Sequence, residues 1–474
     1  MSRSEPVAAP PAAWRPLLGG EAAARAAAAV DDIAAALRER VESPSAASAA
    51  GPPPPRDGAR SPARPSDREG GPAQSSPGRD FSLAGGQSGL ALFFAYCHLA
   101  EPRRGHDEVA LRCLERAMEG VGAEPSSAGL YSGFPGVAWV LEHLRRNLLD
   151  EDGGDPAEED PGEEVAQVLR QHLASSPWRS IYDLIGGLAG FGVYALERRP
   201  HPGGQECLAE VVARLDEIAE RRSEGISWWT PSEWLSPIDR ERFPEGNFNL
   251  GVAHGVPGVI GLLGEVCAVA ELEGRARPLL AGSVSWLLAQ RLGPTAASRF
   301  STFAAAGVEP TASRLAWCYG DLGIATSLLL AARLAGEQDW EEAALDVARA
   351  TAARDFAASG VVDAGLCHGA AGVAHLYNRL YQASRDPVLE EAAVRWVEQT
   401  LAMRRPGEGV AGFQAWLPGP KAAADGSADL RWTPDPGFLT GAAGVGLALL
   451  AAITPVEPAW DRVLLASVPP RPGD

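Results

Sequence analysis

Seven apolar runs recur along the chain after residue 80, and each is opened by two glycines in the spacing G-x-x-G, as in GQSGLALFFAY and GVPGVIGLL. The first glycines of the seven copies are Gly86, Gly133, Gly187, Gly255, Gly320, Gly369 and Gly441. A single G-x-x-G is a common turn, but seven copies in phase with apolar runs indicate an internal repeat. Because a helix that is apolar on all sides is buried, we expect each run to form an inner helix.

Segments with one polar face lie between the apolar runs. The clearest are residues 107–118, 206–220 and 388–402, and the last follows Asp386-Pro387, an N-cap residue with proline at the first helical position. The alanine-rich segment 21–42 is also predicted to be helical, as the outer partner of the first or the last inner helix. Amphipathic helices face water on one side, so these segments are expected to form an outer layer.

The two kinds of helix together predict an all-α fold, an α/α toroid of seven inner and about seven outer helices. A closed ring leaves no exposed apolar end, in contrast to an open solenoid. Glycine at the start of each inner helix permits the close approach that converging helices need. The predicted organisation is an N-terminal helical segment at 1–42 that contributes to the outer layer, a linker at 43–80 and a toroid domain at 81–474.

Two stretches have no such pattern. Residues 43–80 are dominated by proline, serine, glycine and alanine, which predicts a disordered linker or long loop. Residues 150–164, DEDGGDPAEEDPGEE, are polar and acidic, which predicts a solvated surface loop.

Net charge and cysteine content limit the binding partners and the cellular compartment that we expect for this protein. The chain has 42 Lys and Arg against 61 Asp and Glu, a net charge of −19, which argues against nucleic acid and anionic membrane as partners. There is no apolar signal segment at the N-terminus and no run long enough to span a membrane. We therefore expect a cytoplasmic protein whose six cysteines are reduced and available as metal ligands or nucleophiles.

Three of the turns that precede the inner helices contain metal-binding residue types. NLGVAHG contains His254, WCYG contains Cys318 and Tyr319, and LCHG contains Cys367 and His368. Equivalent turns of a toroid lie at the same end, and Cys and His are the usual zinc ligands. Cys318, Cys367 and His368 would leave a fourth, open position, whereas a fourth ligand from His254 would close the site and make it structural. Taken singly, Cys318 also suits a small buried residue and His254 a core histidine.

The remaining cysteines and several histidines lie within helical runs and are expected to pack in the core or along helices without a functional partner. They are Cys97, Cys113, Cys207, Cys267, His98, His143 and His375.

The motifs NLGVAHG, R-x-x-x-WCYG at residues 314–320 and CHG at 367–369, together with the sevenfold glycine repeat, resemble the lanthionine synthetase C-like cyclases. The resemblance covers about residues 80–455. It implies a catalytic Zn²⁺ held by Cys318, Cys367 and His368 at the mouth of the toroid, and a catalytic histidine at His254. The Pro-rich segment 43–80 is not expected from the family pattern.

Three further residues match the family's functional positions. The resemblance implies roles for Asp183 in YDLIGGLAG, for Arg314 and for Tyr319. Each also has a simpler explanation: Asp183 as an N-cap, Arg314 in a salt bridge and Tyr319 as a packing residue.

The activity that the resemblance implies is thioether ring formation in lantibiotic biosynthesis. A cysteine thiolate of a dehydrated precursor peptide adds to a dehydroalanine or dehydrobutyrine of the same peptide. Only about 80 residues precede the toroid domain, too few for a fused dehydratase region, so a separate dehydratase is the expected partner.

Three other functions remain open. A related enzyme that adds glutathione to dehydrated residues in proteins would share every motif. A zinc-stabilised scaffold that binds a peptide without catalysis would use His254 as a fourth ligand. Protein prenyltransferase β-subunits are also toroids with a thiol-activating zinc, but their ligand set includes an aspartate, and none lies beside Cys318 or Cys367.

Overall fold

The structure, a computed structural model, describes residues 14–43, 81–123, 125–149, 160–199, 201–422 and 428–471. Within these ranges seven inner helices begin directly after the first glycine of each repeat, as predicted. Numbered along the chain, they are α2 (Gln87–Ala100), α4 (Phe134–Leu144), α6 (Leu188–Glu197), α9 (Val256–Cys267), α11 (Asp321–Ala335), α14 (Ala370–Ser384) and α16 (Ala442–Ile453).

Seven outer helices of the described chain each pack on one inner helix. They are α1 (Gly20–Glu42), α3 (His106–Ala123), α5 (Pro161–Leu173), α7 (Pro202–Glu217), α10 (Ala270–Ala289), α12 (Gln338–Ala352) and α15 (Pro387–Ala402). Two short helices, α8 (Pro237–Arg242) and α13 (Phe356–Ser359), lie in connections. The predicted cap of α15 is present, since the Asp386 carboxylate accepts a hydrogen bond from the Val388 amide.

The inner helices form a closed ring in the order of the sequence. Each contacts the next, and α16 returns to contact α2, so the fold is the predicted α/α toroid. The outer helix α1 packs on α16, which brings the two ends of the described chain together. The Leu17 and Leu18 amides donate to the Ala452 carbonyl, and the Trp14 indole donates to the Ala451 carbonyl.

The seven turns that precede the inner helices lie at one end of the toroid, which we call the mouth, and we number them turn 1 to turn 7. A backbone amide of each turn donates to a carbonyl of the next, and turn 7 returns to turn 1. The links, from amide to carbonyl, are Ala84 to Tyr131 (3.0 Å), Tyr131 to Ile185 (3.3 Å), Leu184 to Ala253 (3.1 Å), Ala253 to Cys318 (3.3 Å), Cys318 to Cys367 (3.3 Å), Cys367 to Leu439 (2.7 Å) and Leu439 to Ala84 (2.9 Å). This ring fixes the spacing of side chains on neighbouring turns.

The second glycine of every repeat is required by a close approach within its own turn. A Cβ atom there would overlap the carbonyl oxygen of the residue six positions earlier, as at Gly258 with Val252 and at Gly372 with Leu366, and the same holds in all seven described repeats. Each of those earlier residues is apolar and buried. Glycine therefore lets the turn fold back against the first turn of its helix.

The described strands form three two-stranded antiparallel pairs in connections between helices. They are β1 (Glu220–Arg222) with β2 (Gly225–Ser227), β3 (Phe248–Asn249) with β4 (Phe303–Ala304), and β5 (Ala415–Ala422) with β6 (Ala428–Thr433). β3 runs directly into turn 4, and its pairing with β4 joins the connection before turn 4 to the connection before turn 5. The β5–β6 hairpin precedes turn 7.

The interior of the ring is filled by the C-terminal segment, with a 3-10 helix at Ala459–Leu464. The Tyr131 hydroxyl of turn 2 donates to the Val463 carbonyl, and the Trp317 indole of turn 5 donates to the Leu464 carbonyl, both at 2.8 Å. Asp461 is fully buried and accepts from Arg379 of α14. The C-terminal segment therefore holds turns 2 and 5 from inside the ring.

Two sequence predictions concern the connections. The predicted linker 43–80 lies outside the described residues apart from Ser43. Residues 150–159 of the predicted acidic loop 150–164 also lie outside the described residues. The prediction is wrong for residues 161–164, because Pro161 begins α5 and the Asp160 carboxylate caps it. Acidic residues there lie in a helical first turn, where they interact favourably with the helix dipole.

No helix in the described part of the chain is long and apolar enough to cross a membrane. None of the six cysteines, all of which lie within the described residues, forms a disulfide.

Candidate metal centre and active site

The candidate residues occupy four consecutive turns of the mouth. Turn 3 contains Asp183, turn 4 His254, turn 5 Cys318 and Tyr319, and turn 6 Cys367 and His368. The two cysteines occupy the same position of the repeat, two residues before the first glycine. The histidines of turns 4 and 6 directly precede the first glycine of their repeats. Because neighbouring turns are joined by backbone hydrogen bonds, equivalent positions in the sequence become neighbours in space.

Cys318, Cys367 and His368 form a compact group whose potential ligand atoms all lie within 4.8 Å of one another. Two sulfurs and an imidazole are a donor set that Zn²⁺ binds well. Nδ1 of His368 is buried and has no hydrogen-bond partner among the described residues, which is costly for a nitrogen that does not bind a metal. The residues present therefore fit a zinc ion.

The surroundings of Cys318 favour its thiolate form. Burial opposes ionisation, but the hydrogen bond with Cys367 and the positive charges of Arg314 and His368 hold the pKa of Cys318 well below its usual range. Nη2 of the Arg314 guanidinium lies 3.7 Å from Sγ of Cys318. Burial and Arg314 act to lower the pKa of His368, but its hydrogen bond with Cys318 and the charge of Asp363 raise it.

The cysteines inside helices behave differently. Burial raises the pKa of Cys113 to about 12 and the pKa of Cys207 and Cys267 to about 11. These thiols are neutral core residues, in agreement with the sequence analysis.

His254 is held by Asp183 and half exposed at the mouth. Its Nδ1 lies 2.7 Å from Asp183 Oδ2, and because a carboxylate only accepts, Nδ1 donates. Asp183 Oδ1 accepts from the Gly186 amide at 2.8 Å, so this carboxylate caps its own turn and orients the histidine as well. It is not the N-cap of α6, which is Gly187.

Tyr319 lies beside His254, with 6.2 Å between the ring centroids. It directly precedes Gly320, whose φ of +112° is a conformation that side chains rarely adopt. The Tyr319 hydroxyl accepts a hydrogen bond of 2.8 Å from the amide of Asn249 in β3. Phe303 of β4 also lies beside Tyr319, with 6.0 Å between the ring centroids.

Sequence reasoning missed two polar residues near the metal group. Asn249 belongs to the NLGVAHG motif, but nothing in the motif indicates that its side chain reaches Tyr319. Asp363 is buried below His368 and accepts from the Gly365 amide (3.1 Å) and from the Trp416 amide of β5 (2.8 Å). Its position five residues before His368 was the only available signal.

Two histidines expected to lack partners are hydrogen-bonded inside the core. His375 Nε2 lies 2.8 Å from Asp461 Oδ2 of the C-terminal segment, and His143 pairs with Tyr96 and Glu197. The two residues of each pair are far apart in sequence, so helical periodicity did not predict their contact.

Proteins of nisin biosynthesis are among those to which the chain is similar. The nisin biosynthesis protein NisC of Lactococcus lactis subsp. lactis is 23% identical over 354 residues, which span 66% of this chain and 77% of the relative. The solved structure of nisin cyclase is similar at a TM-score of 0.58 and 20% identity, covering 82% of this chain and 92% of that chain. A cellobiose 2-epimerase from Bacillus thermoamylovorans is similar at a TM-score of 0.43 and 12% identity, covering 80% and 89% of the two chains.

The family model of lanthionine synthetase C-like proteins matches residues 77–465. The match includes all seven turns of the mouth and the C-terminal segment inside the ring, and the chain therefore belongs to the lanthionine synthetase C-like family.

Proposed function

We propose that this protein is a zinc-dependent cyclase that forms lanthionine and methyllanthionine thioether rings in a dehydrated peptide. The observation that carries the proposal is the placement of a Cys₂His group beside an Asp–His pair on four consecutive turns of one mouth. Family membership and the likeness to a nisin biosynthesis protein support the same activity.

Cys318, Cys367 and His368 would hold the zinc ion. Zinc, when bound there, supplies a lowered pKa for a substrate thiol, so that the sulfur reacts as a thiolate. Arg314 lies close to Cys318 Sγ and offsets the negative charge of the protein thiolates.

In the reaction the cysteine sulfur bonds to the β-carbon of the dehydrated residue, and the Cα–Cβ double bond becomes single. The electron pair moves to the α-carbon and its carbonyl as an enolate, and a proton must then reach the α-carbon. We assign that proton to Nε2 of His254, because Nδ1 is engaged by Asp183, whose carboxylate stabilises the charged imidazole. Tyr319 would donate a hydrogen bond to the enolate oxygen.

A three-ligand zinc suits the geometry better than a closed structural site. His254 donates to Asp183 at 2.7 Å and is not among the potential ligand atoms that cluster within 4.8 Å. We therefore assign His254 the role of the general acid, and we assign the fourth zinc-binding position to the substrate thiol.

The substrate would be a precursor peptide in which serines or threonines have already lost water. A separate dehydratase would supply it, and a reducing cytoplasmic location would keep the substrate thiols and the ligand cysteines free. Glutathione addition uses the same chemistry, but the thiol comes from a second molecule. The experiment must therefore distinguish ring formation within the peptide from glutathione addition.

The test is a cyclisation assay on a dehydrated peptide that contains one cysteine. Cyclisation leaves the mass unchanged, so remaining thiols are counted by alkylation and mass spectrometry, with and without glutathione, and zinc is measured in the same samples. Variants Cys367→Ala and His254→Ala are compared with Cys207→Ala, a matched control because Cys207 is a buried thiol in α7.

We expect about one zinc ion per chain and loss of peptide thiol with the wild type and with C207A. C367A should lose zinc and activity, whereas H254A should keep zinc and cyclise slowly. A glutathione adduct in place of a ring would support the intermolecular reaction. If the wild type consumes no peptide thiol and H254A loses zinc, the cyclase proposal is wrong and the non-catalytic, zinc-stabilised scaffold is the remaining hypothesis.

A further inference from the structure

Asn249 lies where β3 enters turn 4, and its side chain is almost completely buried. One side-chain atom lies 2.8 Å from the Gly251 amide nitrogen and the other lies 2.8 Å from the Tyr319 hydroxyl. β3 pairs with β4 at this residue, since Asn249 is opposite Phe303. The residue therefore joins turn 4, which contains His254, to the tyrosine of turn 5.

The direction of both hydrogen bonds is fixed by chemistry. A backbone amide can only donate, so the atom of Asn249 that faces Gly251 is the carbonyl oxygen. The atom that faces Tyr319 is then the NH₂ group, which can only donate. The phenolic oxygen must accept this bond, and its own hydrogen points away from Asn249.

The ring of Tyr319 is also confined. A Cβ atom at Gly251 would overlap the edge of the tyrosine ring, so the backbone of residue 251 packs directly against it. Phe303 contacts the ring from β4. The side chain therefore has one orientation, and Asn249 sets the orientation of its hydroxyl.

We propose that Asn249 is a positioning residue that keeps Tyr319 a hydrogen-bond donor toward the reacting peptide. The inference rests on the proposed cyclase function. A side chain that accepted a hydrogen bond from the Tyr319 hydroxyl would engage the phenolic hydrogen that the enolate oxygen needs. The amide at residue 249 is therefore as important as the phenol itself.

The decisive variant is Asn249→Asp. A carboxylate has the same shape and still accepts from the Gly251 amide, but it also accepts from Tyr319 and so draws the phenolic hydrogen away from the substrate. We expect kcat to fall about 10- to 100-fold and KM to change less than about threefold, as for loss of one donor to a developing oxyanion. Zinc content should equal that of the wild type.

A double-mutant cycle separates positioning from simple loss of structure. In the Tyr319→Phe background there is no phenolic hydrogen to misdirect, so N249D/Y319F should match Y319F within about twofold. The matched control is Asn247→Asp, a buried asparagine two residues away whose side-chain atoms have no hydrogen-bond partner among the described residues. Its rate per folded molecule should stay near the wild-type rate.

Asn249→Ser covers the case in which N249D does not fold, because its hydroxyl can still accept from Gly251 but is too short to reach Tyr319. N249S should slow catalysis in the wild-type background and not in Y319F. If the wild type cyclises its peptide but the folded Asn249 variants react at the wild-type rate, the role of Asn249 is overturned. The same conclusion follows if the effects of the Asn249 variants are fully additive to that of Y319F. Neither result would affect the proposed cyclase function. Absence of any cyclisation by the wild type would overturn the proposed function and this inference with it.

Discussion

Asp183 and His254 are 71 positions apart in the chain, yet Asp183 Oδ2 accepts a hydrogen bond of 2.7 Å from Nδ1 of His254. The contact exists because turn 3 and turn 4 are joined by the backbone bond from Leu184 to Ala253. The carboxylate fixes which ring nitrogen donates to it, and Nε2 is the nitrogen to which we assign the proposed proton transfer.

This relationship predicts the behaviour of Asp183→Asn. The amide has the shape of the carboxylate but no charge, and it can present its NH₂ group to Nδ1, which would select the other tautomer. We expect kcat to fall about 10²- to 10⁴-fold, the range that general acid catalysis contributes. Cyclisation rates and zinc content are measured together, and zinc content should be unchanged. A rate within twofold of the wild type would contradict an acid role for the pair.

Removal of zinc should abolish activity without unfolding the protein. The seven turns are held by the ring of backbone hydrogen bonds and by the C-terminal segment, neither of which includes the ligand side chains. A chelator such as EDTA should therefore eliminate cyclisation while circular dichroism retains its helical signal, and added Zn²⁺ should restore the rate. Loss of helical signal on chelation would instead indicate a structural zinc.

The second glycine of the repeat should not tolerate a side chain. Gly258→Ala would place a methyl group against the Val252 carbonyl in a packed core, and we expect a loss of at least about 3 kcal/mol in the free energy of unfolding, or failure to fold.

Gly274→Ala is the matched control, because Gly274 lies in the outer helix α10 with open space around its Cβ position. It should stabilise the protein by up to about 1 kcal/mol. Urea denaturation of the two variants measures the difference, and equal effects would contradict the close approach as the reason for the repeat.

The C-terminal segment should make stability depend on pH through Asp461. Burial acts to raise the pKa of this carboxyl, but Arg379 and His375 hold it below its ordinary value. Since its pKa is lowered on folding, its contribution is complete at neutral pH, begins to fall near the unfolded value of about 4, and is lost as pH drops through the folded value.

We expect Asp461→Asn to lose about 3–5 kcal/mol at pH 7, because Arg379 is left poorly neutralised in the core, and to show a flatter decline than the wild type below about pH 4. Asp346→Asn, in an exposed pair with Arg291, should change stability by less than about 1 kcal/mol. Denaturant midpoints from pH 3 to 7 test both variants. A decline as steep in D461N as in the wild type would assign the acid sensitivity elsewhere.

The sequence by itself determined the number of inner helices and the glycine at which each begins, because glycine spacing and apolar periodicity are local signals. The toroid was predicted because a closed ring leaves no apolar end exposed. It also indicated Cys318, Cys367, His368 and His254 as candidates, since they recur just before the same glycine of the repeat.

Only the tertiary structure decided which candidates meet, and through which atoms. The ring of hydrogen bonds brings turns 3 to 6 together. Asn249 acquires its partner Tyr319 from turn 5, and Asp363 acquires its partner Trp416 from β5, both distant in sequence. The C-terminal segment supplies the carbonyl acceptors that the buried tyrosine and tryptophan donors of turns 2 and 5 need. Such contacts depend on the closure of the ring, and no local pattern in the chain encodes them.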